Sequence, residues 1–254
     1  MIRIAAGLLC SFGWAAAQSG LTVPLTAVTE DITGRPMALY GVAGSLVAAS
    51  PREPGRMWHG GQYLIAQPPE GGQLQILSTG GEVLCSHASP PGPARFGFSA
   101  AGVEAVAWFE EAEQLVRVRG CRLETIPLEA PGYVVALASL AHEGFQLVVR
   151  SETGPVLLRY NTVGRLENET PLVGVTEPLA LLRDGSLAFA DGETLVVRHS
   201  GGAEYRVDAG ALIAELAEIG PGWILLKTGH TGRRLAARVR DDEVALYQLP
   251  EAVQ

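Results

Sequence analysis

The chain has 254 residues, of which 47% are hydrophobic and 18% charged, and its formal net charge is -8 at pH 7. This composition excludes a disordered protein, because the apolar fraction is high enough to build a buried core. The acidic balance argues against a nucleic-acid binder, which needs positive charge to neutralise phosphates. Lys227 is the only lysine, so nearly all positive charge is arginine.

Residues 1–17 have the three-part layout of a secretory signal. A basic start that includes Arg3 is followed by an apolar stretch from Ile4 to Trp14, and three alanines end at Ala17. Small residues there are typical of a cleavage site, whereas a buried N-terminal helix or strand is the alternative interpretation. We therefore expect residues 18–254 to form a single exported domain, either secreted or periplasmic. No later apolar run approaches the roughly 20 residues that a membrane-spanning helix needs.

A strand–turn–strand pattern recurs along the rest of the chain. Its units start at Gln73, Gln114, Val156, Thr194 and Arg233, which are 41, 42, 38 and 39 residues apart. Glycine or aspartate residues occupy the turns, as short hairpins require. Upstream of every hairpin, a glycine precedes a further apolar run, at Gly61, Gly102, Gly144, Gly185 and Gly222. A shorter apolar segment comes before that glycine, so each unit is predicted to contain four short strands.

Four-stranded units with a period of about 40 to 45 residues are typical of β-propeller blades. Residues Leu21 to Ser50 contain a degenerate further unit. The predicted fold is therefore all-β, a β-propeller of six blades that are each a four-stranded antiparallel meander. A propeller with five blades is the alternative.

The run from Leu181 to Val207, LLRDGSLAFADGETLVVRHSGGAEYRV, resembles a blade of the NHL, TolB-like and related WD40-like propellers. In those families an Asp-Gly turn starts the second strand, and a glycine-containing hairpin joins the outer two. The resemblance extends loosely over residues 50–250 and concerns the blade pattern only. Because these families include enzymes, scaffolds and binding proteins, it implies a fold and no particular activity.

Two cysteines, Cys85 and Cys121, remain after the predicted signal. The repeat places them on different blades, which favours two buried thiols over a disulfide. A disulfide is the alternative, since an exported protein meets an oxidising compartment.

Local catalytic motifs are absent or incomplete. Lys227-Thr228-Gly229 matches one β-lactamase triplet, but the accompanying S-x-x-K motif needs a second lysine. No histidine pair has zinc-ligand spacing. Among the predicted inner strands and turns, Glu215, Glu218 and Asp184 do not form an evident acid and nucleophile pair. We therefore predict no cofactor and no metal, and favour a protein that is not an enzyme.

Acidic residues recur in equivalent loops of several repeats. The predicted loops between second and third strands are acidic, and in a propeller these loops share one face with the connections between blades. We call this set the acidic rim: Glu70, Glu110, Glu111, Glu113, Glu152, Asp191 and Glu193. It is a candidate surface for a basic protein segment, whereas a polar rim that keeps the protein soluble is the simpler interpretation.

The predicted connections between blades combine proline, arginine and aromatic residues. They are Pro51-REPGRMW, Ser89-PPGPARF and Glu129-APGY, with Trp58, Phe96 and Tyr133 as their aromatics. Arginine and aromatic side chains are favoured at recognition surfaces. We favour the alternative, in which stiff connections pack their aromatics between blades.

The sequence thus favours an exported, non-enzymatic propeller that acts as a scaffold for a protein or an envelope component. A hydrolase or lyase with a site assembled across the central channel is the alternative. The sequence does not identify the partner, and it predicts neither nucleic-acid binding nor a membrane span.

Overall fold

The computed structural model describes residues 25–30, 35–42, 45–49, 55–128, 132–229, 232–240 and 243–249. The predicted signal of residues 1–17 lies outside these ranges, as does His230 in the last loop between second and third strands. The described residues form strands joined by turns and one short 3-10 helix, Ala141–Glu143. Within them, no helix reaches the length and hydrophobicity of a bilayer-spanning segment.

The strands form one three-stranded sheet and five four-stranded antiparallel sheets within the described ranges. The three-stranded N-terminal sheet contains β1 (Leu25–Glu30), β2 (Pro36–Val42) and β3 (Ser45–Ala49). Blade 1 contains β4 (Arg56–His59), β5 (Tyr63–Gln67), β6 (Gly71–Ser78) and β7 (Val83–Pro91). Blade 2 contains β8 (Ala94–Phe98), β9 (Glu104–Phe109), β10 (Gln114–Arg119) and β11 (Arg122–Ile126). Blade 3 contains β12 (Tyr133–Ser139), β13 (Phe145–Ser151), β14 (Gly154–Tyr160) and β15 (Leu166–Pro171). Blade 4 contains β16 (Leu179–Leu181), β17 (Leu187–Asp191), β18 (Thr194–Arg198) and β19 (Glu204–Asp208). Blade 5 contains β20 (Ile213–Gly220), β21 (Trp223–Thr228), β22 (Arg234–Val239) and β23 (Val244–Gln248).

Neighbouring sheets pack face to face in chain order, and the N-terminal sheet closes the ring between blade 5 and blade 1. The inner strand β1 contacts both β20 and β4, while β12 contacts β8 and β16. The prediction of an all-β propeller built from four-stranded antiparallel meanders is confirmed. The described residues form five four-stranded blades, which is the alternative to the preferred number of six.

The hydrophobic core is divided among the interfaces between sheets. In β9 the side chains of Ala105, Ala107 and Phe109 pack toward blade 1, whereas Val106 and Trp108 pack toward blade 3. Successive side chains of a strand point to opposite faces, so a strand buried on both sides reads as a continuous apolar run. Each blade therefore buries its apolar faces only against its two neighbours.

The N-terminal sheet differs from the blade beside it in the direction of its inner strand. A Cβ at Gly220, the last residue of β20, would lie 2.5 Å from the carbonyl oxygen of Thr26, near the start of β1. At the other end of β1, Thr29 accepts a hydrogen bond of 2.8 Å from Arg234, which lies level with the start of β20. The strand β1 therefore runs antiparallel to β20, and this sheet is not a regular repeat of the blades.

Cys85 and Cys121 form a disulfide, so the prediction of two buried thiols is wrong. Their Cα atoms are 6.0 Å apart, a separation that suits a disulfide. Cys85 lies on β7, the outermost strand of blade 1, and Cys121 lies in the turn between β10 and β11 of blade 2. Two cysteines on different blades can still be close together, because the outer strands of neighbouring blades lie side by side.

The runs that were assigned to connections between blades are partly inner strands. Trp58 lies within β4, Phe96 lies within β8, and Tyr133 begins β12. Alternation is hard to detect in these segments because they are short and face the central channel with both polar and apolar residues.

Candidate functional site

The inner strands of all six described sheets enclose a central cavity of about 470 Å³. This volume is within the range of small-ligand pockets. The wall is mixed: Val135 to Leu137 on β12 and Leu179 to Leu181 on β16 are apolar stretches, whereas polar atoms form the larger part of its accessible surface. Charged side chains lie near its two ends, and the two ends differ in how those charges are arranged.

Arg183 closes one end of the cavity. It follows β16 of blade 4, and its Nε donates to Glu218 of blade 5 at 2.7 Å. Its remaining nitrogens cross the ring axis to blade 1, where they donate to the carbonyl oxygens of Gly60 at 2.8 Å and His59 at 3.1 Å. The guanidinium carbon also lies 5.5 Å from the centre of the Phe98 ring of blade 2. One side chain therefore joins four blades at the closed end.

The charges at the closed end are buried and satisfied by each other. The side chain of Arg183 is 7% exposed and that of Glu218 is 10% exposed. Burial raises the pKa of Glu218, and the guanidinium of Arg183 opposes that rise. An unpaired charge at this depth would be very costly, so each member of this pair depends on the other.

His59 lies beside this ion pair and is almost fully buried. Burial, and secondly the positive charge of Arg183, lower the pKa of His59 to about 4. Backbone groups of Gly61 and Thr26 lie near the ring and offset part of this lowering. Neither ring nitrogen reaches hydrogen-bond geometry with a described residue. His59 is therefore a neutral, apolar-like packing group at neutral pH.

A second buried charge network joins blades 2 and 3 on the same face. Glu104, at the start of β9, accepts hydrogen bonds of 2.8 Å from Arg119 and from Ser139 of blade 3. Arg117 lies 3.6 Å from the same carboxylate. Burial raises the pKa of Tyr63, and the charge of Glu104 adds to the rise. These groups hold neighbouring blades together.

Within the part of the chain that the structure describes, the opposite end of the cavity is open and carries exposed arginines. Arg56 and Arg95 lie at the starts of β4 and β8 and line the cavity mouth. Two residues beyond Arg56, the ring of Trp58 packs against that of Phe96 with centroids 4.4 Å apart, and both side chains pack against the core between blades 1 and 2. Both residues also contribute to the cavity lining at this end.

Two acids and the single lysine complete the open end. Lys227 forms an ion pair of 2.9 Å with Glu215. Glu30 lines the cavity from the end of β1. Neither Glu30 nor Arg56 is within ion-pair distance of an opposite charge in the part of the chain that the structure describes.

The arginine-rich zone continues from the mouth onto blade 3. Arg95 donates to the hydroxyl of Tyr133 at 3.3 Å, and the guanidinium of Arg150 lies 4.6 Å from the centre of the same ring. Arg150 in turn forms a two-point ion pair with Glu177. This hydrogen bond lowers the pKa of Glu177. We call Arg56, Arg95, Tyr133 and Arg150 the mouth cluster.

The acidic rim lies in the loops where the sequence placed it. Its residues occupy the loops after β5, β9, β13 and β17, or end the strand before such a loop, and all are exposed. Glu110 approaches Arg95 at 3.9 Å, and a Cβ at Gly92, in the connection between blades 1 and 2, would meet the side chain of Glu111. The rim therefore shares its face with the mouth cluster. Asp191 pairs with Arg206 at 2.9 Å, so one rim carboxylate is partly neutralised.

Of the inner acids that the sequence singled out, two form ion pairs, and Asp184 accepts a hydrogen bond of 2.9 Å from the backbone N–H of Ser186. Glu218 pairs with Arg183, and Glu215 pairs with Lys227. Among the described residues, no group of three or more His, Cys, Asp or Glu side chains is arranged to hold a metal ion. Glu215 and Glu218 therefore serve as ion-pair partners of Lys227 and Arg183.

Sequence reasoning missed the roles of Arg183, Arg56 and Arg95. Arg183 precedes the Asp-Gly turn of its blade, and nothing local distinguishes it from a surface arginine. Arg56 and Arg95 each occur one or two residues before an aromatic residue in a proline-containing run, and that recurrence was the available signal.

No family model matches the chain, and no curated protein matches its sequence. Similar solved structures include a functionally unknown protein from Desulfotomaculum acetoxidans, with 11% identity, a TM-score of 0.53, and coverage of 89% of this chain and 79% of that one. Apo AztD from Citrobacter koseri has 8% identity and a TM-score of 0.52, covering 91% of this chain and 83% of AztD. A streptogramin B lyase has 14% identity and a TM-score of 0.50, covering 91% and 85%. These similarities show the β-propeller fold, and the functions of the neighbours differ.

Proposed function

We propose that this protein is an exported, non-enzymatic β-propeller that binds a protein or an envelope component through its open face. The main observation behind this proposal is that one end of the central cavity is closed. Because Arg183 closes one end with contacts to blades 1, 2 and 5, the cavity formed by the described residues opens toward the acidic rim and the mouth cluster. Loop-bearing faces of rigid scaffolds are common binding surfaces.

Two features support export. Residues 1–17 have the layout of a secretory signal. The disulfide between Cys85 and Cys121 suits an oxidising compartment, since disulfides are rare in reducing ones. Fractionation of the host tests this part. We expect a mature chain that begins at Gln18, outside the cytoplasm and with both thiols oxidised, and a cytoplasmic full-length chain would contradict it.

A hydrolase or lyase in the channel is the weaker alternative. Such chemistry needs a carboxylate or histidine that is free to exchange a proton with a substrate. Glu215 and Glu218 are engaged in ion pairs, and His59 is buried next to Arg183, which leaves Glu30 as the cavity carboxylate outside ion-pair distance of a cation among the described residues. The arrangement of Glu215, Glu218 and His59 supports a structural role for these groups.

The binding role is tested with the mature protein immobilised and exposed to a solubilised envelope from its own host. The test variant replaces Glu110, Glu111 and Glu113 with Gln. The matched control replaces Glu82, Glu167 and Glu169 with Gln, since these are also exposed but lie away from the rim loops. We expect the rim variant to retain less of a specific partner and added salt to weaken the wild type, because exposed charges are screened beyond about 10 Å at 0.1 M salt. Equal, salt-insensitive capture by all three proteins would contradict a role for the rim.

A further inference from the structure

We propose that the central cavity binds the C-terminal end of a partner polypeptide. An apolar last residue enters the cavity, and its free carboxylate pairs with Arg56 and Arg95 at the mouth. This rests on the proposed function, because it assigns a chemistry to the partner that the open face binds.

The shape of the cavity favours a chain end. Arg183 and Glu218 close the inner end of the cavity, and their guanidinium and carboxylate form an ion pair with each other. A segment in the middle of a chain would have to enter and leave through the same opening. The apolar stretches of the wall on β12 and β16 offer burial for one apolar side chain. A pocket that is closed at its inner end and lined by both polar and apolar groups fits the last residue of a polypeptide.

The arginines of the mouth favour a carboxylate. Among the described residues, Arg56 has no ion-pair partner, and the polar contacts of the Arg95 guanidinium are with the Tyr133 hydroxyl at 3.3 Å and Glu110 at 3.9 Å. A guanidinium presents five donors, so both side chains keep donors for a ligand. Paired N–H donors match the two oxygens of a carboxylate. Glu215 is neutralised by Lys227, which leaves Glu30 as the opposing charge at the mouth.

The charges of the open face form two zones. Arg56, Arg95 and Tyr133 of the mouth cluster lie at the starts of inner strands, near the axis, and Arg150 lies near the end of the second strand of blade 3. The acidic rim lies farther out, in loops that join second and third strands. A ligand that matches both zones carries its anion at the centre and cations around it. A polypeptide end in which arginine or lysine residues precede an apolar last residue has this pattern. A fatty acid offers the same carboxylate and apolar group but nothing for the rim, so the two zones favour the polypeptide.

The test uses a dye-labelled peptide of alternating glycine and arginine residues that ends in leucine with a free carboxylate. Its binding to the mature protein is followed by fluorescence anisotropy. The matched peptides have a C-terminal amide, or serine in place of every arginine. Because Lys227 is the only lysine and lines the mouth, protection of its amine from acetylation, read by mass spectrometry, reports occupancy of the cavity.

We expect the free-acid peptide to bind and to protect Lys227, and the amide to bind about tenfold or more weakly, since hydrogen bonds to a charged group contribute at this level. The double variant Arg56→Gln, Arg95→Gln loses the preference for the free acid, whereas Arg122→Gln, an exposed arginine on the opposite face, retains it. The serine peptide binds more weakly and with less salt dependence. Unchanged thermal unfolding of the double variant confirms that it is folded.

Equal binding of the acid and amide peptides, or binding without protection of Lys227, would overturn the proposal. So would protection by free decanoate in the absence of any binding of the peptide, because the occupant would then be an amphiphile. Envelope capture separates this from the proposed function. If the double arginine variant captures the same partner as the wild type, the cavity proposal fails and the scaffold function stands. If the wild type captures no partner, the scaffold function itself fails.

Discussion

Arginine side chains occupy both ends of the central cavity, in opposite surroundings. At the closed end, Arg183 is 7% exposed and its donors are taken up by Glu218 and by carbonyl oxygens across the ring. At the open end, Arg95 is 43% exposed and makes two long contacts. A buried guanidinium must be satisfied inside the protein, and it then becomes part of the structure. An exposed guanidinium at the mouth of a cavity keeps donors for a ligand. The same residue type therefore stabilises the ring at one end and is available for recognition at the other.

Replacement of Arg183 should have the largest effect. Arg183→Ala leaves Glu218 buried without its partner, and we expect the free energy of unfolding to fall by about 3–5 kcal/mol. Urea unfolding followed by tryptophan fluorescence measures this loss. The control is Arg95→Ala at the open end, for which we expect about 0.5 kcal/mol or less.

A double variant sharpens the interpretation. Arg183→Met with Glu218→Leu removes both charges and should regain much of the loss, because apolar pairs replace buried ion pairs well. If Arg183→Ala is no more destabilising than Arg95→Ala, the distinction between the two ends is wrong.

Loss of the disulfide should have the next largest effect. Cys85 and Cys121 are 36 residues apart in sequence and join the outer edges of blades 1 and 2. Replacing both with Ser should lower the free energy of unfolding by about 2–4 kcal/mol, because the cross-link restricts the unfolded chain. The wild type should become as unstable as this variant when a reductant is added, and the variant itself should not respond. A wild type that is insensitive to reductant would show that the cross-link contributes nothing.

Acid should destabilise the closed end through His59. The unfolded protein binds a proton at this histidine below about pH 6.5, whereas the folded protein, with the pKa of His59 lowered to about 4, does so only in stronger acid. The unfolded state therefore holds more protons between these values, and stability falls as the pH falls, by about 3 kcal/mol at full extent.

His59→Leu should lack this part of the acid sensitivity, since the ring nitrogens have no hydrogen-bond partner among the described residues to lose. His142→Leu is the control, because His142 is an exposed histidine on the same face. Unfolding curves at a series of pH values make the comparison. A variant at His59 that is as sensitive to acid as the wild type would mean that His59 is protonated as easily in the folded protein as in the unfolded one.

The ion pair between Lys227 and Glu215 should have the smallest effect. Its side chains are 31% and 51% exposed, in contrast to the buried pair of Arg183 and Glu218. A double-mutant cycle with Ala at both positions should give a coupling of about 1 kcal/mol or less, and salt should reduce it further. A coupling as large as that of the buried pair would mean that the mouth is also part of the structural framework.

The strands were largely predictable, and the site was not. Hairpins at Gln114 and Thr194 were recognisable because apolar runs, glycine turns and a constant period are local features. The acidic rim followed from the same assignment. Arg183 was not recognisable, because its importance comes from carbonyl groups of residues 59 and 60, more than a hundred positions away in the chain. The disulfide was misjudged for a related reason, since proximity of outer strands depends on how blades stack.

By itself, the sequence determined the all-β meander, its period, the turns and the side of the ring on which the acidic loops lie, because these follow from side-chain alternation and turn chemistry within about forty residues. The tertiary structure decided the number of four-stranded blades, the reversed inner strand β1 of the N-terminal sheet, the pairing of Cys85 with Cys121 and the blocked end of the channel. Each of these depends on which residues meet when the ring closes, and contacts between distant segments are not encoded in any local pattern.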